Sequence, residues 1–299
     1  MPQPAIIVLN WRRYDLTRRC LAVLPPWPTY LVDNESDASA LTELCGAFPQ
    51  VRAMPQAKNL GFPGGMNQGL RQALEDGATQ VVLLNNDAIP AEGALERLQA
   101  TLAAQPQAAA VGPLLTSPGP LRDAQVTSAG VRVRLPLGRV RTLHHGHPPS
   151  SLPSGPFEVD AICGACMMID ADALRAFGLL DEAFFFYYED LELCLRLRRA
   201  GRTVWVEPRA RVVHEGGATI GRSPAKAYYG CRNQLRLVET QAPTPRRFMR
   251  WSRRALILSL HSAALLREGG PPLIPGLRAI GAGLRDHRRG RYGPAPALR

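Results

Sequence analysis

Short apolar runs alternate with amphipathic segments along the first half of the chain, an order that is typical of βαβ units. The runs AIIVLNW, TYLVDN, VRAMPQ and QVVLLNND have the length and composition of strands. Between them, helical spacing of apolar residues predicts a helix capped by Asp15 and ending at Leu24, and a second beginning near Ser36 or Asp37. A third is expected through GGMNQGLRQALEDG to Gly77. The pattern indicates an α/β fold.

The second half continues this pattern after an irregular segment. A helix from Ala91 to about Ala104 and the strand-like run AAAVGPLL precede residues 117–157, which are rich in Pro, Gly and Ser. Two short alternating pieces there, VRVRL and RVRTL, favour a surface excursion or hairpin over a domain boundary. Strands are then expected in EVDAICGACMMID and TVWVEP, followed by a turn that ends in VVHEGG, and helices are expected in LELCLRLRRAG, ended by Gly201, and in YYGCRNQLRLVE.

The formal net charge of +11 is concentrated at one end of the chain. Between residues 243 and 299 lie twelve arginines and two acidic residues, so this segment contributes +10 and the rest only +1. We therefore expect a main domain over residues 1–240 and a basic helical extension over 241–299. Nucleic-acid binding would require basic and aromatic residues interleaved on a sheet or groove. Because the positive charge is confined to the tail, no nucleic-acid partner is expected.

Localisation is predicted from the N-terminus and the cysteines. The chain enters a strand-like run after four residues and lacks the charged and apolar regions of a signal peptide. Its six cysteines are isolated within apolar patterns, which favours reduced thiols over a disulfide framework. The longest apolar run, from Ala255, is about a dozen residues, against about 20 for a bilayer span. We expect a cytoplasmic protein.

Polar side chains gather where four predicted strands end. Ligands of open α/β sheets bind beyond the carboxyl ends of the strands, because loops and helix N-termini converge there. The polar residues at these ends are Asn10, Asp33, Asn34, Lys58, Asn59, Asn85, Asn86 and Asp87. One polar strand end is ordinary, but four together indicate a ligand site.

The loop KNLGFPGGMNQG, residues 58–69, has the form of a nucleotide cradle, with glycines that let backbone N–H groups approach a phosphate. It contains neither a Walker GKS or GKT nor the GxGxxG fingerprint. An ordinary flexible loop explains the stretch equally well on its own.

Metal-binding and catalytic chemistry is indicated by three further groups. Asp87 offers the oxygen ligand that Mg²⁺ or Mn²⁺ prefers beside a diphosphate, and His214 is a candidate for the same ion or an ordinary packed histidine. In YYED, Asp190 is either a helix N-cap or a general base, with Glu189 or Glu192 orienting its neighbours.

Two other motifs have alternatives that the sequence leaves open. CGAC, residues 163–166, is interpreted as a core strand with a tight glycine bend, because zinc would need a second ligand pair. In YYGCRN, Arg232 is either a phosphate contact or a charge on a helix surface.

Taken in order, these motifs resemble the family 2 glycosyltransferases, and most closely their rhamnosyltransferase-like bacterial members. The matching stretches run from Ala5 to Asn233, about three quarters of the chain, and are IIVLNW, LVDNES, NLGFPGGMNQG, LLNNDA, VDAICGACMMID, FFFYYEDLELCLRLRRAG, VVHEGG and YYGCRN. The resemblance implies the GT-A fold, a nucleotide-binding Rossmann-type mixed sheet flanked by helices. It also implies an inverting, metal-dependent transfer of rhamnose or a similar sugar in cell-surface polysaccharide synthesis.

The resemblance further implies roles for individual residues. Asp33 would hydrogen-bond the pyrimidine base of a dTDP- or UDP-sugar donor, and Asp190 would be the catalytic base toward a glycan or polyprenyl-linked saccharide acceptor. Asp87 would hold a divalent metal, and His214 would contact that metal or the diphosphate. The nucleotide-sugar set would comprise Asn10, Asp33, Asn34, Lys58, Asn59, Gly61, Phe62, Asn67, Asn85 and Asn86. The chain departs from the family's Asp-X-Asp motif at Asn85, so the number of metal ligands stays open.

One enzymatic rival and one membrane hypothesis accompany this interpretation. A sugar nucleotidyltransferase would want a glycine-rich basic loop directly after the first strand, where this chain has NWRRYD. The tail RRFMRWSRRALILSLHSAALLR sets arginines and Trp251 before an apolar stretch, which suits an anionic inner membrane leaflet. The alternative is a C-terminal helix that packs on the main domain and leaves its basic face in solvent.

Overall fold

A computed structural model describes residues 3–119, 124–216, 223–243, 246–267 and 273–296. Its strands are β1 (Pro4–Asn10), β2 (Thr29–Asp33), β3 (Val51–Pro55), β4 (Gln80–Asn85), β5 (Ala88–Pro90), β6 (Ala108–Thr116), β7 (Val126–Ser128), β8 (Val131–Arg134), β9 (Arg139–Thr142), β10 (Phe157–Glu158), β11 (Cys166–Asp170) and β12 (Thr203–His214). Its helices are α1 (Tyr14–Leu21), α2 (Ala38–Ala47), α3 (Gly61–Glu75), α4 (Ala94–Ala104), α5 (Ala171–Phe177), α6 (Glu189–Arg199), α7 (Pro224–Gln241), α8 (Arg247–Arg267) and α9 (Leu273–Arg288).

Ten of these strands form one mixed sheet, in the order β10-β12-β6-β11-β4-β1-β2-β3, with β5 paired to β12 and β7 to β6. Strands β1 to β4 pair in parallel, whereas β11 runs antiparallel to both β4 and β6. The parallel strands β1, β2 and β4 therefore end at one edge, at Asn10, Asp33 and Asn85. The α/β prediction and the mixed sheet are confirmed.

Apolar side chains fill both faces of the sheet. One layer, which includes Ile7 and Leu83, packs against Met66 of α3 and Leu193 of α6. The opposite layer, which includes Val8, packs against helices α1, α2 and α4. This alternation of neighbouring residues between the two layers follows from the pleat of the strand, and it explains why these strands read as continuous apolar runs.

Several element boundaries differ from the sequence expectations. Asp15 lies inside the first turn of α1 and does not cap it, and α1 ends at Leu21 because the chain turns ahead of Pro25. Helix α4 begins at Ala94 and not at Ala91, because the Ala91 amide still donates to the Arg211 carbonyl and Gly93 has a left-handed φ of 70°. Strand β5, residues 88–90, was not expected from the sequence. TVWVEP and VVH belong to one long strand, β12, with a register shift between Glu207 and Arg211.

The remaining expectations agree better with the structure. Helix α2 begins where it was expected, and Asp37 caps it through the amide groups of Ser39 and Ala40. VRVRL and RVRTL form the β8–β9 hairpin within the excursion, of which residues 120–123 lie outside the described part of the chain. The last glycine of VVHEGG, Gly217, also lies outside it.

The basic C-terminal segment forms α8 and α9, and both helices contact α7. Buried Ile257 of α8 and Ile280 of α9 join Tyr228 and Leu235 of α7 in a separate apolar cluster. None of the described helices is both long and apolar enough to cross a membrane.

Candidate active site

His214 and Asp87 meet at the carboxyl edge of the sheet because of one strand pairing. Strand β5 runs antiparallel to β12, with Ala88 opposite His214, so the preceding residue Asp87 faces the end of β12. His214 Nε2 lies 3.3 Å from Asp87 Oδ1, and the Glu215 amide donates to the Asp87 carbonyl at 3.1 Å. Two side chains that are 127 positions apart in the sequence thus form one polar pair.

This pair suits a divalent cation that takes its other ligands from a bound substrate. A carboxylate and an imidazole nitrogen are ordinary metal ligands, and Mg²⁺ is commonly held by one or two carboxylates together with substrate phosphates. Within the described residues no group of three His, Cys, Asp or Glu side chains could hold an ion alone. The residues present fit a cation shared between protein and diphosphate, and do not fit an all-protein cage.

The carboxylates of YYED lie in the same cavity. Asp190 is the second residue of α6, so the N-cap interpretation is wrong, and Tyr188 occupies the position before the helix. Asp190 Oδ2 accepts a hydrogen bond from the Gly164 amide at 2.7 Å, and its Oδ1 accepts one from the Leu191 amide at 2.8 Å. A Cβ on Gly164 would sit 3.2 Å from that of Asp190, so the glycine permits this close approach. The aspartate is fixed by backbone donors on both sides.

Burial sets the protonation of this carboxylate pair. Burial raises the pKa of Glu189 well above its usual range, and the charge of Asp190 raises it further. Burial also raises the pKa of Asp190, against the opposing effect of the Gly164 and Leu191 amides. Glu189 Oε2 is buried without a partner among the described residues. These shifts favour a proton on Glu189 over a proton on Asp190.

The backbone before these carboxylates is strained. Phe185, Tyr187 and Tyr188 have φ values of 61°, 70° and 76°, in the left-handed region that residues other than glycine rarely adopt. Asn233 of α7 fixes this segment, because its side-chain nitrogen lies 2.7 to 2.9 Å from the carbonyl oxygens of Phe184, Phe186 and Tyr187. Strained backbone of this kind persists only where its surroundings determine it, and it clusters at functional sites.

Arg232 has a different role from both of those expected. It is fully buried and donates to the carbonyl of Phe184 at 2.9 Å and to that of Gly293 at 2.7 Å. Its guanidinium also lies over the rings of Tyr228 and Tyr229. The phosphate-contact and surface-charge interpretations are both wrong, because Arg232 ties the aromatic segment to the C-terminal segment.

Two asparagines, Asn34 after β2 and Asn59 after β3, fix the start of α3. Asn34 Nδ2 donates to Asn59 Oδ1 at 2.9 Å, and Asn34 Oδ1 accepts from the Leu60 amide at 2.8 Å. Asn59 Oδ1 accepts from the Gly61 amide at 2.8 Å, and the Phe62 amide donates to the Phe185 carbonyl at 2.8 Å. The first N–H groups of α3 are therefore satisfied within the protein.

The cradle prediction needs correction for the same reason. Residues from Gly61 onward are helical, so most of KNLGFPGGMNQG is not a loop. Gly61, at φ 75°, lets the chain pass Phe185, whose carbonyl oxygen would lie 2.4 Å from an added Cβ. Gly69 lets α3 pack on Ile7, which an added Cβ would approach to 2.5 Å. These two glycines serve close packing and not phosphate binding.

Four residues of the predicted nucleotide set lie outside the cavity. Asp33 is fully buried, and its carboxylate accepts from Asn10 Nδ2, the Tyr14 hydroxyl and Ser36 Oγ at 2.5 to 2.7 Å, so a direct contact with a base is not supported. Asn10 is also buried, as the centre of a network with Thr17 and Asn86. Asn67 holds the Leu180 backbone, and Lys58 is an exposed side chain outside the cavity lining.

The other ten predicted residues line one cavity of about 610 Å³. They are Asn34, Asn59, Gly61, Phe62, Asn85, Asn86, Asp87, Glu189, Asp190 and His214. Asn85 Oδ1 is buried and without a partner among the described residues, which leaves an acceptor available to a ligand.

Sequence reasoning missed part of the lining. Trp11, at the end of β1, presents an aromatic ring to the cavity and is held by a 2.9 Å hydrogen bond from Nε1 to Glu35. Its place beside the polar end of β1 could have been noticed in the sequence. The turn Cys163–Ala165 also contributes, so CGAC is a cavity turn followed by a core strand, and burial raises the pKa of the Cys163 thiol to about 12.

The C-terminal segment after α9 also reaches this cavity, which no sequence signal indicated. Pro294 and Ala295 line it, and the Ala295 amide donates to the Tyr229 hydroxyl at 2.6 Å. Arg236 lies over the ring of Tyr292 at 4.4 Å. One wall of the site is thus built from the last described residues of the chain.

Solved structures of the same fold are GT-A glycosyltransferases. GalNAc-T7, crystallised with UDP, GalNAc and Mn²⁺, matches with a TM-score of 0.66 at 13% identity, over 96% of this chain and 58% of that one. The mannosyltransferase PcManGT from Pyrobaculum calidifontis, in complex with GDP-Man and Mn²⁺, matches with a TM-score of 0.57 at 16% identity, over 97% of this chain and 83% of that one. The chain therefore has the GT-A fold.

Sequence relatives give the family. The model of the glycosyltransferase like family 2 matches residues 2–236, so the chain belongs to that family. It is 26% identical over 270 residues to an N-acetylglucosaminyl-diphospho-decaprenol L-rhamnosyltransferase of Mycobacterium tuberculosis, covering 83% of this chain and 86% of the relative. It is 22% identical over 224 residues to the dTDP-rhamnosyl transferase RfbF of Shigella flexneri, covering 70% and 69%. The expected resemblance to rhamnosyltransferases is confirmed.

Proposed function

We propose that this glycosyltransferase moves rhamnose or a similar sugar from a dTDP- or UDP-linked donor to a hydroxyl of a lipid-linked saccharide, with inversion at the anomeric carbon. The observation that supports this most directly is the meeting of two polar pairs in one cavity. Asp87 with His214 and Asp190 with Glu189 both face the same space of about 610 Å³, a size that suits a sugar nucleotide. A leaving diphosphate and an attacking hydroxyl each have a suitable partner there.

The reaction follows from the state of the two carboxylates. Asp190, ionised and fixed by the Gly164 and Leu191 amides, accepts the proton of the acceptor hydroxyl. The hydroxyl oxygen forms a bond to the anomeric carbon while the bond from that carbon to the diphosphate oxygen breaks, and the electron pair leaves with the diphosphate. Because attack and departure occur on opposite faces, a single displacement inverts the anomeric centre.

Asp87 and His214 are proposed to hold a divalent cation, Mg²⁺ or Mn²⁺. A cation bound there would supply positive charge beside the diphosphate as negative charge develops on it. Asn85 Oδ1 lines the same cavity and is available to the diphosphate or ribose, whereas Asn86 Nδ2 already donates to Asn10 and Thr17. Trp11 offers an aromatic face for the base.

The relatives support the choice of substrates. The name of the mycobacterial relative joins an L-rhamnosyl group to N-acetylglucosaminyl-diphospho-decaprenol, and that of RfbF specifies a dTDP-rhamnosyl donor. An acceptor on a polyprenyl lipid stays at the membrane, so we propose that the reaction occurs at the inner membrane surface, as a step of cell-surface polysaccharide synthesis. We also propose that residues 1–240 form the glycosyltransferase domain and that residues 241–299 form a basic C-terminal extension of it.

The first test is calorimetric titration of the purified protein with dTDP and UDP, each with and without Mn²⁺. We expect metal-dependent binding of one nucleotide that is lost in Asp87→Ala and retained in Asp172→Ala, a matched change of an exposed aspartate on α5. Binding of neither nucleotide to the folded protein would overturn the assignment of the donor site. Nucleotide binding that is independent of Mn²⁺ would overturn only the proposed metal dependence.

The second test uses the preferred sugar nucleotide and a short polyprenyl-diphosphate N-acetylglucosamine. Nuclear magnetic resonance of the product should show the anomeric configuration opposite to that of the donor. Retained configuration would contradict single displacement by an Asp190-activated hydroxyl.

A further inference from the structure

Exposed apolar side chains are concentrated on the two C-terminal helices. Of the eleven large hydrophobic residues exposed in the described part of the chain, nine lie between residues 248 and 277. On α8 they are Phe248, Met249, Trp251, Leu256, Leu260 and Leu266. On the first half of α9 they are Leu273, Ile274 and Leu277. We call these nine side chains the outer face. Concentrated apolar exposure of this kind marks an interaction surface.

The opposite sides of both helices are packed against the protein, which fixes the direction of the outer face. Ile257 is 1% exposed and Ile280 is 5% exposed in the cluster with α7. Gly276 lets α9 approach Leu265 of α8, and Gly283 lets it approach the Tyr228 backbone of α7. The helices cannot turn their apolar residues inward without losing these contacts.

Arginines border the outer face at the start of α8. Arg246, Arg247 and Arg250 are exposed and interleaved with Phe248, Met249 and Trp251. None of the three arginines makes an ion pair within the residues that the structure describes. Helix α8 contains no acidic residue. Trp251 stacks near Phe248, with 6.5 Å between ring centroids, at the boundary of the basic and apolar surfaces. Apolar, aromatic and basic groups meet in this arrangement on helices that lie in a membrane interface.

We propose that the outer face of α8 and α9 binds the surface of a membrane that contains anionic phospholipid. The basic residues would lie among the head groups while Phe248, Trp251 and their apolar neighbours enter the head-group boundary. Helix α8 is roughly 30 Å long, which provides an extended contact parallel to the membrane plane. A second copy of the chain fits this face poorly, because its own arginines would meet those of the first.

The membrane contact and the catalytic cavity are joined by continuous structure. Helix α9 leads into the segment whose Pro294 and Ala295 line the cavity, and Arg232 holds the Gly293 carbonyl of that segment. A docked α9 thus keeps one wall of the cavity near the lipid surface. This consequence rests on the proposed polyprenyl-linked acceptor, whereas lipid binding itself does not.

The experiment measures lipid binding without any substrate, so its result is independent of the transferase assignment. The full-length protein is sedimented with vesicles of phosphatidylcholine alone or mixed with phosphatidylglycerol, and the bound fraction is determined at low and high salt. We expect binding to the anionic vesicles only, weakened by salt because the arginine contribution is screened.

Matched variants assign the binding to the outer face. Phe248→Ser with Trp251→Ser should abolish sedimentation, whereas Val23→Ser, which changes an exposed apolar residue after α1, should not. Arg246→Gln with Arg247→Gln should lower vesicle affinity roughly thirtyfold. Exposed Arg97 and Arg199, on α4 and α6, provide the control pair Arg97→Gln with Arg199→Gln. Circular dichroism of each variant verifies that α8 and α9 remain folded.

Three results would overturn the proposal. These are no binding to anionic vesicles by the folded wild-type protein, equal binding to both kinds of vesicle, and unchanged binding in the Phe248→Ser, Trp251→Ser variant. A concentration-dependent dimer in solution that the same variant dissolves would assign the outer face to a second copy instead. Retained nucleotide binding in each of these cases would leave the proposed function standing.

Discussion

The side-chain nitrogen of Asn233 lies 2.9 Å from the carbonyl oxygen of Tyr187, two residues before the carboxylate pair. The same nitrogen reaches the carbonyls of Phe184 and Phe186, so one amide on α7 holds three carbonyl groups of an otherwise strained backbone. The position of Asp190 therefore depends on a helix that follows it by more than thirty residues.

Replacement of Asn233 by alanine should loosen this segment. The carbonyl groups of Phe186 and Tyr187 would lose this donor, whereas that of Phe184 keeps Arg232, so we expect the free energy of unfolding to fall by about 1–3 kcal/mol and kcat to fall with it. Denaturant titration and steady-state kinetics measure the two effects. Thr240→Ala, on an exposed position of the same helix, is the control and should change neither. Full activity in Asn233→Ala would contradict the positioning role.

The two carboxylates should respond differently to neutral replacement. Asp190→Asn removes the proposed base, so kcat should fall by about 10²–10⁴ while donor binding, measured by calorimetry, is retained. Glu189→Gln mimics the protonated acid and should keep most of the activity. The reverse order of effects would make Glu189 the base.

Because the pKa of Asp190 is raised, wild-type activity should be lost as the pH falls through that raised pKa.

The wall formed by the C-terminal segment should affect the acceptor more than the nucleotide. Ala295→Trp would place a large ring in the cavity beside Phe185 and Phe186, its neighbours in the same apolar cluster. We expect the KM for the saccharide acceptor to rise about tenfold or more with little change in nucleotide affinity. Ala103→Trp, at an exposed position of α4 outside the cavity lining, is the matched control. Equal loss of nucleotide and acceptor binding would show that the wall serves the donor.

His261 of α8 should make stability depend on pH. Burial lowers its pKa from 6.5 to about 4, and its Nε2 lies 2.7 Å from Gln234 Oε1, which also accepts from the Tyr188 hydroxyl at 3.1 Å. Between pH 6.5 and about 4 the unfolded chain binds a proton that the folded chain does not, so the free energy of unfolding should fall as the pH falls through this window. Thermal unfolding of wild type and His261→Gln across the window measures this; an identical pH dependence in both would refute it.

The sequence by itself determined the α/β class, the order of most strands and helices, and most residues at the carboxyl edge of the sheet. Period-two and period-3.6 apolar patterns are local, and polar groups such as Asn85 and Asp87 interrupt them where a buried strand ends. The sequence also showed that the positive charge lies in the C-terminal segment, because net charge is a sum over residues. Ten of the predicted site residues line the cavity for these reasons.

Only the tertiary structure decided which polar residues face the cavity and which support it. Asp33 and Asn10 end their strands as Asn85 does, yet partners from distant parts of the chain cover them. The short pairing of β5 with β12 brings His214 to Asp87, and Arg232 joins Phe184 to Gly293 across 109 positions of sequence. Contacts between residues so far apart leave no periodic signal in either segment, since each depends on how whole elements pack.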